Sequence, residues 1–317
     1  MEADEIHPQA RAMLDRREQL GLAPIREVGL GRLRLLMRLT NWVQNRNPPS
    51  VGRTVDRTIP GPGGDLPVRL YRPTGEGPFP TVVYFHGGGY VIGDLASHDL
   101  LCRHLTRESD CVVMAVDYRL APEHPFPAAV EDAYAATKWA ADNTDALAGD
   151  GRLAVAGDSA GGALAAVASL MAAEKAGPDI DYQALLYPGV GVEDGQESVE
   201  KHGGRVLERG DLEWFRDCYF ESDVHERNPY ADPSNACDLS GVPPATVLTA
   251  GFDPLRDGGA NYADQLAADG VDVRHVNYDD MIHGFATMTE EIDRAREAIA
   301  EIADHLRAAF DESESTR

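Results

Sequence analysis

The sequence predicts an α/β fold in which helices flank a mostly parallel sheet of eight strands. The first observation is that short apolar runs alternate with longer helical segments from about residue 81 onwards, and repeated βα units of this kind build a doubly wound sheet. The second is that most of these runs are apolar throughout, which is typical of parallel strands buried on both faces. The third is a serine flanked by glycines between one such run and a helix.

The eight strands are expected in chain order. The first two, Val51–Ile59 and Leu66–Tyr71, flank a turn rich in glycine and proline and are predicted to pair antiparallel. The other six are expected at Thr81–Phe85, Cys111–Val116, Leu153–Ala156, Tyr182–Tyr187, Ala245–Thr249 and Val271–Val276. Helices are predicted at His98–Ser109, Ala128–Ala141, after Ser159, at Gly258–Asp269 and at Glu290–Phe310.

Two segments depart from this alternation and are predicted to form a helical cap. Residues 1–48 show helical periodicity, and the wide apolar stripe over Gly29–Val43 is expected to pack on the body of the protein and in part to roof a pocket. Residues 189–236 form a glycine-rich, charged excursion where a short crossover would suffice. The rest divides into a main α/β domain (49–188 and 237–310) and a polar tail expected to be disordered (311–317).

The composition is strongly acidic. The formal net charge is −24, from 53 acidic and 29 basic residues, and only three of the basic residues are lysines. A surface of this kind predicts a protein from a salt-loving organism, because molar salt screens the repulsion between its charges. A GC-rich genome would also favour arginine over lysine, so this alternative stays open. Nucleic acids and anionic membrane surfaces are not expected as partners.

The sequence also bears on location. No apolar run reaches the 18 residues that indicate a membrane-spanning helix, and the acidic start, Met1–Glu5, is unlike a secretory signal. The four cysteines show no Cys-x-x-Cys spacing, so reduced cysteines and a cytoplasmic location are expected. The sequence leaves both a monomer and a dimer open.

A reactive serine is predicted in Gly157-Asp158-Ser159-Ala160-Gly161. This segment follows the apolar run Leu153–Ala156 and opens an alanine-rich helix, which is the strand–turn–helix context of a nucleophile elbow. Glycine is expected on both sides because the sharp turn brings the chain against its neighbours. The N-terminus of the helix after Ser159 favours negative charge that develops during a reaction.

A serine nucleophile needs oxyanion donors, and a glycine loop is the candidate. In His86-Gly87-Gly88-Gly89, directly after a strand, consecutive glycines expose backbone N–H groups. We expect the amides of Gly88, Gly89 and Ala160 to form the oxyanion hole. His86 is predicted to be structural and to anchor the loop through its imidazole.

The nucleophile also needs a base and an acid. Asp253 follows the strand Ala245–Thr249, at the sheet edge where α/β proteins bind ligands. Asp257 competes with it, but lies nearer a helix start, where it would serve as an N-cap. His283 follows the last strand, so the chain order is Ser159, Asp253, His283.

Together these motifs resemble the hormone-sensitive-lipase-like branch of α/β-hydrolase carboxylesterases, from about residue 50 to 310. They are His86–Gly89, Asp117–Glu123, Gly157–Gly161, Asp253–Asp257 and His283–Phe285. The resemblance implies an α/β-hydrolase fold and a serine esterase without cofactor or metal, acting on a small-molecule carboxylic ester under a helical cap. It implies Ser159, Asp253 and His283 as the catalytic residues and Gly88, Gly89 and Ala160 as the oxyanion donors.

With the acidic composition, the resemblance predicts a haloarchaeal carboxylesterase. Because a strongly negative body is poorly suited to anionic lipid aggregates, short-to-medium-chain esters are expected as substrates rather than long-chain triglycerides. A lipase, an amidase, an acyltransferase or a non-catalytic receptor on the same fold are the alternatives, since fold and triad do not determine the acyl group or the acceptor.

Overall fold

One eight-stranded sheet organises the computed structural model, which describes residues 2–21, 23–203 and 206–316. The strands are β1 (Arg53–Gly61), β2 (Gly64–Arg72), β3 (Phe79–Phe85), β4 (Val112–Val116), β5 (Gly149–Asp158), β6 (Tyr182–Leu186), β7 (Ala245–Phe252) and β8 (Val273–Ile282). Their order is β1-β2-β4-β3-β5-β6-β7-β8, and only β2 runs antiparallel to its two neighbours. The prediction of a mostly parallel eight-stranded sheet is confirmed.

Twelve α-helices are described within these residue ranges. They are α1 (Pro8–Gln19), α2 (Ile25–Val28), α3 (Leu30–Gln44), α4 (Asp99–Ser109), α5 (Ala128–Asp142), α6 (Thr144–Leu147), α7 (Ala160–Glu174), α8 (Glu197–His202), α9 (Arg209–Tyr219), α10 (Asp223–Glu226), α11 (Arg256–Ala268) and α12 (Asp293–Thr316). Short 3₁₀ helices lie at Pro233–Asn235 and Phe285–Thr287.

The sheet separates two apolar cores. In β3, Val83 and Phe85 belong to the first core and Val82 and Tyr84 to the second, because successive side chains of a strand point to opposite faces. The first core is covered by α5, α7 and α11, and the second by α4 and α12. Since both faces are buried, the central strands are apolar at almost every position, and this made them recognisable in the sequence.

The end of the sheet and the end of the chain differ from the predictions. β8 continues to Ile282, six residues beyond the predicted end at Val276, because its pairing with β7 extends into a polar stretch that carries no strand pattern. The predicted disorder of the tail 311–317 is wrong for its described part, since α12 runs to Thr316. No glycine or proline interrupts this helix, and the buried Phe310 anchors its last turns. Arg317 lies outside the described residues.

The predicted N-terminal cap segment lies partly against the second core and partly against the first. Residues 3–10 contact β8 and α12: the N–H of Ala3 donates to the carbonyl of Asp279, and Ile6 and Ala10 belong to the second core. Within α3, three apolar side chains pack on the first core: Leu30, Leu33 and Met37. Three others are more than half exposed: Leu35, Leu36 and Leu39. The side chain of Trp42 lies outside the described residues. The division into cap and main domain stays a prediction.

The turn between β5 and α7 requires glycine at two positions. A Cβ atom added to Gly161 would lie 2.0 Å from the carbonyl oxygen of Phe85, and one added to Gly157 would lie 2.3 Å from the carbonyl oxygen of Gly161. Both contacts are with backbone, so no side-chain rotation relieves them. The elbow, α7 and β3 are therefore packed at the closest distance that the main chain allows.

This packing predicts the effect of a single methyl group. Gly161→Ala should lower the free energy of unfolding by about 3 kcal/mol, because the backbone of β3 must move. The matched control is Gly31→Ala in the exposed part of α3, where nothing lies within 4 Å of the added carbon, and which should raise the stability by about 0.5–1 kcal/mol. Urea denaturation of both variants measures the difference, and similar midpoints for the two would contradict the packing argument.

Candidate active site

Ser159 occupies the turn between β5 and α7 in a strained conformation. Its φ is 53° and its ψ is −120°, a region that costs a residue with a side chain on the order of 1–3 kcal/mol. The surrounding backbone holds it there, since its N–H donates to the carbonyl of Leu186 and its carbonyl accepts from the N–H of Gly189. Its hydroxyl oxygen lies 3.0 Å from Nε2 of His283.

His283 and Asp253 complete a chain of hydrogen bonds. His283 directly follows β8, and Asp253 directly follows β7. Nδ1 of His283 lies 2.8 Å from Oδ2 of Asp253. The other carboxylate oxygen of Asp253 accepts the N–H of Leu255 at 2.8 Å, and Asp253 is fully buried. The carboxylate is therefore fixed in orientation and holds the imidazole with Nε2 towards Ser159.

The competing carboxylate, Asp257, faces a different part of the structure. It lies in the first turn of α11, where it accepts hydrogen bonds from the N–H of Ser198 and from the guanidinium of Arg256. The structure thus brings Ser159, Asp253 and His283 together and leaves Asp257 in a contact with α8.

The electrostatics of His283 reflect two opposing effects. Burial by itself lowers its pKa, but the charge of Asp253 and the hydrogen bond to that carboxylate outweigh it, and the pKa is raised above its usual value. The imidazolium that forms when His283 takes a proton is therefore stabilised.

The glycine loop after β3 lies beside this group. Gly88 and Gly89 have positive φ values of 126° and 60°, and a Cβ atom at either would lie within 2.3 Å of Ile92 or Phe215. Among the described residues, none accepts a hydrogen bond from the amides of Gly88, Gly89 or Ala160. All three residues line the same cavity as Ser159. Amides in this position can bind an oxyanion.

A buried carboxylate connects the glycine loop to the elbow. Asp158 Oδ1 accepts the hydroxyl of Tyr84 at 2.7 Å and the N–H of Gly87 at 2.9 Å. Nε2 of His98 lies 3.2 Å from Oδ2. Burial alone raises the pKa of Asp158, but the charge of His98 and the hydrogen bonds from His98 and Tyr84 hold it below its usual value. Asp158, the residue directly before Ser159, thus links the elbow to the glycine loop.

His86 anchors the loop, as its position in the sequence predicts. Its Nδ1 lies 2.9 Å from the carbonyl oxygen of Gly87, and its ring stacks on that of Tyr118 at 4.3 Å. The hydroxyl of Tyr118 in turn donates to the carbonyl of His86. Burial and the nearby charge of His98 lower the pKa of His86 to about 4.

Two residues of the site were not recognised in the sequence. Tyr187 is buried after β6 and meets the ring of His283 edge to face, with centroids 5.1 Å apart. His98 lies at the start of a predicted helix, and its Nε2 contacts the carboxylate of Asp158. An aromatic residue directly after a strand at the catalytic edge was the signal available for Tyr187, whereas no local pattern indicates the contact of His98 with Asp158.

A cavity of about 500 Å³ opens over Ser159. Its floor is formed by the glycine loop, Ser159 and His283, and its walls come from both predicted cap segments. Met37 of α3 lines it from one side and Leu212, Phe215 and Tyr219 of α9 from the other. Tyr219 also stacks on Tyr90 of the loop after β3, with ring centroids 3.9 Å apart. A pocket of this size and lining suits a small, largely apolar ligand.

The described part of the chain shows neither of two other classes of site, a metal-binding cluster and a membrane-spanning helix. No group of three or more histidine, cysteine, aspartate or glutamate side chains in it could hold a metal ion. No described helix combines the length and the hydropathy that crossing a bilayer requires. The cytoplasmic location and the choice between monomer and dimer stay predictions.

A serine, a histidine and a buried carboxylate linked in this way, beside free backbone amides, define a hydrolase with a serine nucleophile. The chain belongs to the corresponding family, since residues 82–287 match the model described as alpha/beta hydrolase fold. This confirms the resemblance to hormone-sensitive-lipase-like carboxylesterases.

The relatives define the reaction class. Carboxylic ester hydrolase LipN of Mycobacterium tuberculosis is 47% identical over 243 residues, which are 74% of this chain and 64% of that protein. Esterase LipI of the same organism is 42% identical over 78% of this chain and 79% of its own length. A hyperthermophilic esterase from the archaeon Pyrobaculum calidifontis has 41% identity and a TM-score of 0.91, over 96% of this chain and 98% of that chain. These similarities place the chain among the carboxylic ester hydrolases.

The hydrogen bond to Asp253 predicts a change in pH dependence. His283 must be neutral to accept a proton, so kcat/KM rises as the pH passes upwards through its pKa. Asp253→Asn removes the charge that raises this pKa and leaves burial, which lowers it. The acid limb of the profile should therefore move to lower pH, and kcat should fall roughly 10⁴-fold.

Asp257→Asn is the matched control, because its carboxylate contacts α8 rather than His283. The measurement is kcat/KM for a soluble p-nitrophenyl ester against pH for the unaltered protein and both variants. An acid limb at the same pH in Asp253→Asn, or an equal shift in Asp257→Asn, would contradict the assignment.

Proposed function

We propose that this protein is a serine carboxylesterase that hydrolyses short-to-medium-chain carboxylic esters through an acyl-enzyme. The observation that carries the proposal is the hydrogen-bonded series Ser159, His283 and Asp253, which faces a largely apolar cavity of about 500 Å³. Each of the three follows its own parallel strand, so the sheet itself brings them to one edge.

In the first step, Ser159 attacks the carbonyl carbon of the ester. Nε2 of His283 accepts the hydroxyl proton as the bond between Oγ and carbon forms, and Asp253 stabilises the resulting imidazolium. The ester oxygen gains negative charge and is bound by the amides of Gly88, Gly89 and Ala160. Each such donor contributes roughly 2.7–4 kcal/mol of transition-state stabilisation.

The tetrahedral intermediate then collapses. The bond between the carbonyl carbon and the alkoxy oxygen breaks, and His283 donates its proton to the departing alcohol. A water molecule, deprotonated by His283, attacks the acyl-enzyme, and the second intermediate releases the carboxylic acid and restores the hydroxyl of Ser159. Both half-reactions use the same amides and the same base.

The walls of the cavity support the preference for shorter acyl chains. Phe215 of α9 lies directly against Gly89, since a Cβ atom there would meet its ring at 2.3 Å. The stacked rings of Tyr90 and Tyr219 stand next to it. We infer that this aromatic wall limits the length of chain that lies between the glycine loop and α9.

A series of p-nitrophenyl esters of increasing acyl length tests the proposal. We expect kcat/KM to be greatest for short and medium chains and to fall for long ones. Ser159→Ala should lower kcat more than roughly 10⁴-fold, because no other group replaces the nucleophile. Ser169→Ala is the matched control: its buried hydroxyl only donates to the carbonyl of Ala165 within α7, and activity should be retained.

Retained hydrolysis in Ser159→Ala would refute the mechanism. Efficient cleavage of emulsified long-chain triglyceride with little activity on the soluble esters would identify a lipase instead. A faster reaction with the matching amides than with the esters would identify an amidase, and preferred transfer to added alcohols would identify an acyltransferase.

We further propose that the acidic composition is an adaptation to high salt, as in proteins of haloarchaea. The support is the net charge of −24 with three lysines in 317 residues. Self-repulsion of such a charge destabilises the compact state, and the Debye length falls from about 10 Å at 0.1 M to about 3 Å at 1 M salt.

This proposal predicts that molar KCl increases both the free energy of unfolding and the activity. Sucrose at matched osmolality is the control, because it is excluded from the protein surface without screening charge. The measurement is the thermal unfolding midpoint across the two concentration series. Full stability and activity in dilute buffer, or an equal response to sucrose, would contradict a halophilic adaptation.

A further inference from the structure

The outer face of α3 is apolar and uncovered. Leu35, Leu36 and Leu39 are 57%, 52% and 55% exposed, and in the described residues they account for three of the five large hydrophobic side chains with such exposure. With the exposed Arg32 they occupy positions i, i+3, i+4 and i+7, which form one face of a helix. We call Arg32, Leu35, Leu36, Arg38 and Leu39 the α3 outer face.

The opposite side of α3 is firmly attached to the protein. Leu30, Leu33 and Met37 pack on the first core. The guanidinium of Arg34 donates to the carbonyls of Val91 and Ala121 and forms an ion pair with Glu123. The contacts of the inner face therefore determine the position of the helix. Leu35, Leu36 and Leu39 on the other side are left exposed to solvent.

The chain segment that carries this face is basic, unlike the rest of the sequence. Acidic residues make up 53 of 317, yet residues 28–55 contain none, together with five arginines. Arg32 and Arg38 of the outer face are exposed, and neither forms a direct ion pair with a described residue, although the charge of Arg38 acts to lower the pKa of Asp117. Screening limits the interaction between exposed charges to about 10 Å at 0.1 M salt, so the acidic groups that affect this face are near ones such as Glu123, which is paired with Arg34.

We propose that the α3 outer face docks on a bilayer containing anionic phospholipids. A helix with leucines and arginines on one exposed face lies in the plane of the membrane interface, with the leucines at the boundary of the acyl chains. The arginines reach the headgroup phosphates while their aliphatic stems stay on apolar surface. The net charge disfavours anionic membranes for the protein as a whole, and this proposal concerns one face only.

A second copy of the chain fits this face less well. A stable protein interface buries about 800 Å² on each partner, whereas the apolar part here is three leucine side chains on one helix. In a two-fold contact the same patch meets itself, so Arg32 and Arg38 of two copies would be brought close to one another. Headgroup phosphates supply the missing negative charge.

Docking through this face also bears on the active site. Met37, on the inner side of the same helix, lines the cavity that contains Ser159. A membrane-bound α3 therefore holds one wall of the cavity at the bilayer surface, where apolar esters are concentrated by partitioning. The binding itself does not depend on the proposed esterase activity and is measured separately from it.

Vesicle co-sedimentation of the full chain carrying Ser159→Ala tests the proposal without hydrolysis of lipid. Vesicles of phosphatidylcholine mixed with phosphatidylglycerol should bind the protein, and vesicles of phosphatidylcholine alone should bind it far less. Arg32→Gln with Arg38→Gln should weaken binding about 25-fold, from about fivefold for each arginine. Replacement of Leu35, Leu36 and Leu39 by glutamine, which keeps helix propensity, should abolish it.

The controls are Leu20→Gln and Arg57→Gln. Leu20 is 66% exposed at the end of α1, and Arg57 is exposed on the edge strand β1. Neither change should alter binding. In the chain with Ser159 intact, the outer-face variants should hydrolyse p-nitrophenyl acetate at the unaltered rate, which shows that lost binding is not lost folding.

Three outcomes would overturn the proposal. They are equal binding to both kinds of vesicle, an equal loss in the control variants, and binding that survives both outer-face variants. A dimer in light scattering that becomes a monomer when the three leucines are replaced would assign this face to a second copy of the chain instead.

Discussion

The arrangement of the active site depends on one buried carboxylate. Asp158 ends β5, directly before the nucleophile, and its side chain crosses to β3 and the loop that follows it. It is 3% exposed and stays ionised through its contacts with His98 and Tyr84. Because the N–H of Gly87 donates to the same carboxylate, the glycine loop and the elbow are held in a fixed relative position. An unpaired charge at this depth would be costly, so these partners stabilise the fold.

The close approach of main chains makes this link possible. A side chain at Gly161 would meet the backbone of Phe85 and His86 and would force β3 and α7 apart. The same sheet brings Asp253 and His283 to the edge where Ser159 lies, since all these strands run parallel. Rigid strands thus position the groups that react, and the loops after them carry those groups.

The helices that line the cavity above Ser159 differ from the sheet in how their side chains are used. α3 uses its inner face for the core and the cavity, and its outer face remains apolar and basic in an otherwise acidic protein. The aromatic side chains of α9 close the cavity against the glycine loop. The walls of the cavity are therefore built from α3 and α9, whereas Ser159, Asp253 and His283 lie at the ends of strands of the sheet.

The sequence by itself determined the fold and indicated the residues that the structure brings together at one edge of the sheet. Buried parallel strands leave continuous apolar runs, and an elbow leaves glycines around Ser159, so both are visible locally. Only the tertiary structure decided the rest. It resolved Asp253 against Asp257, placed His98 and Tyr187 at the site and extended β8 through polar residues. The sequence shows one wide apolar stripe on α3, and only the structure shows that its side chains divide between a buried face and an exposed face. Such features depend on contacts between segments that are distant in the sequence, and a local sequence pattern does not show these contacts.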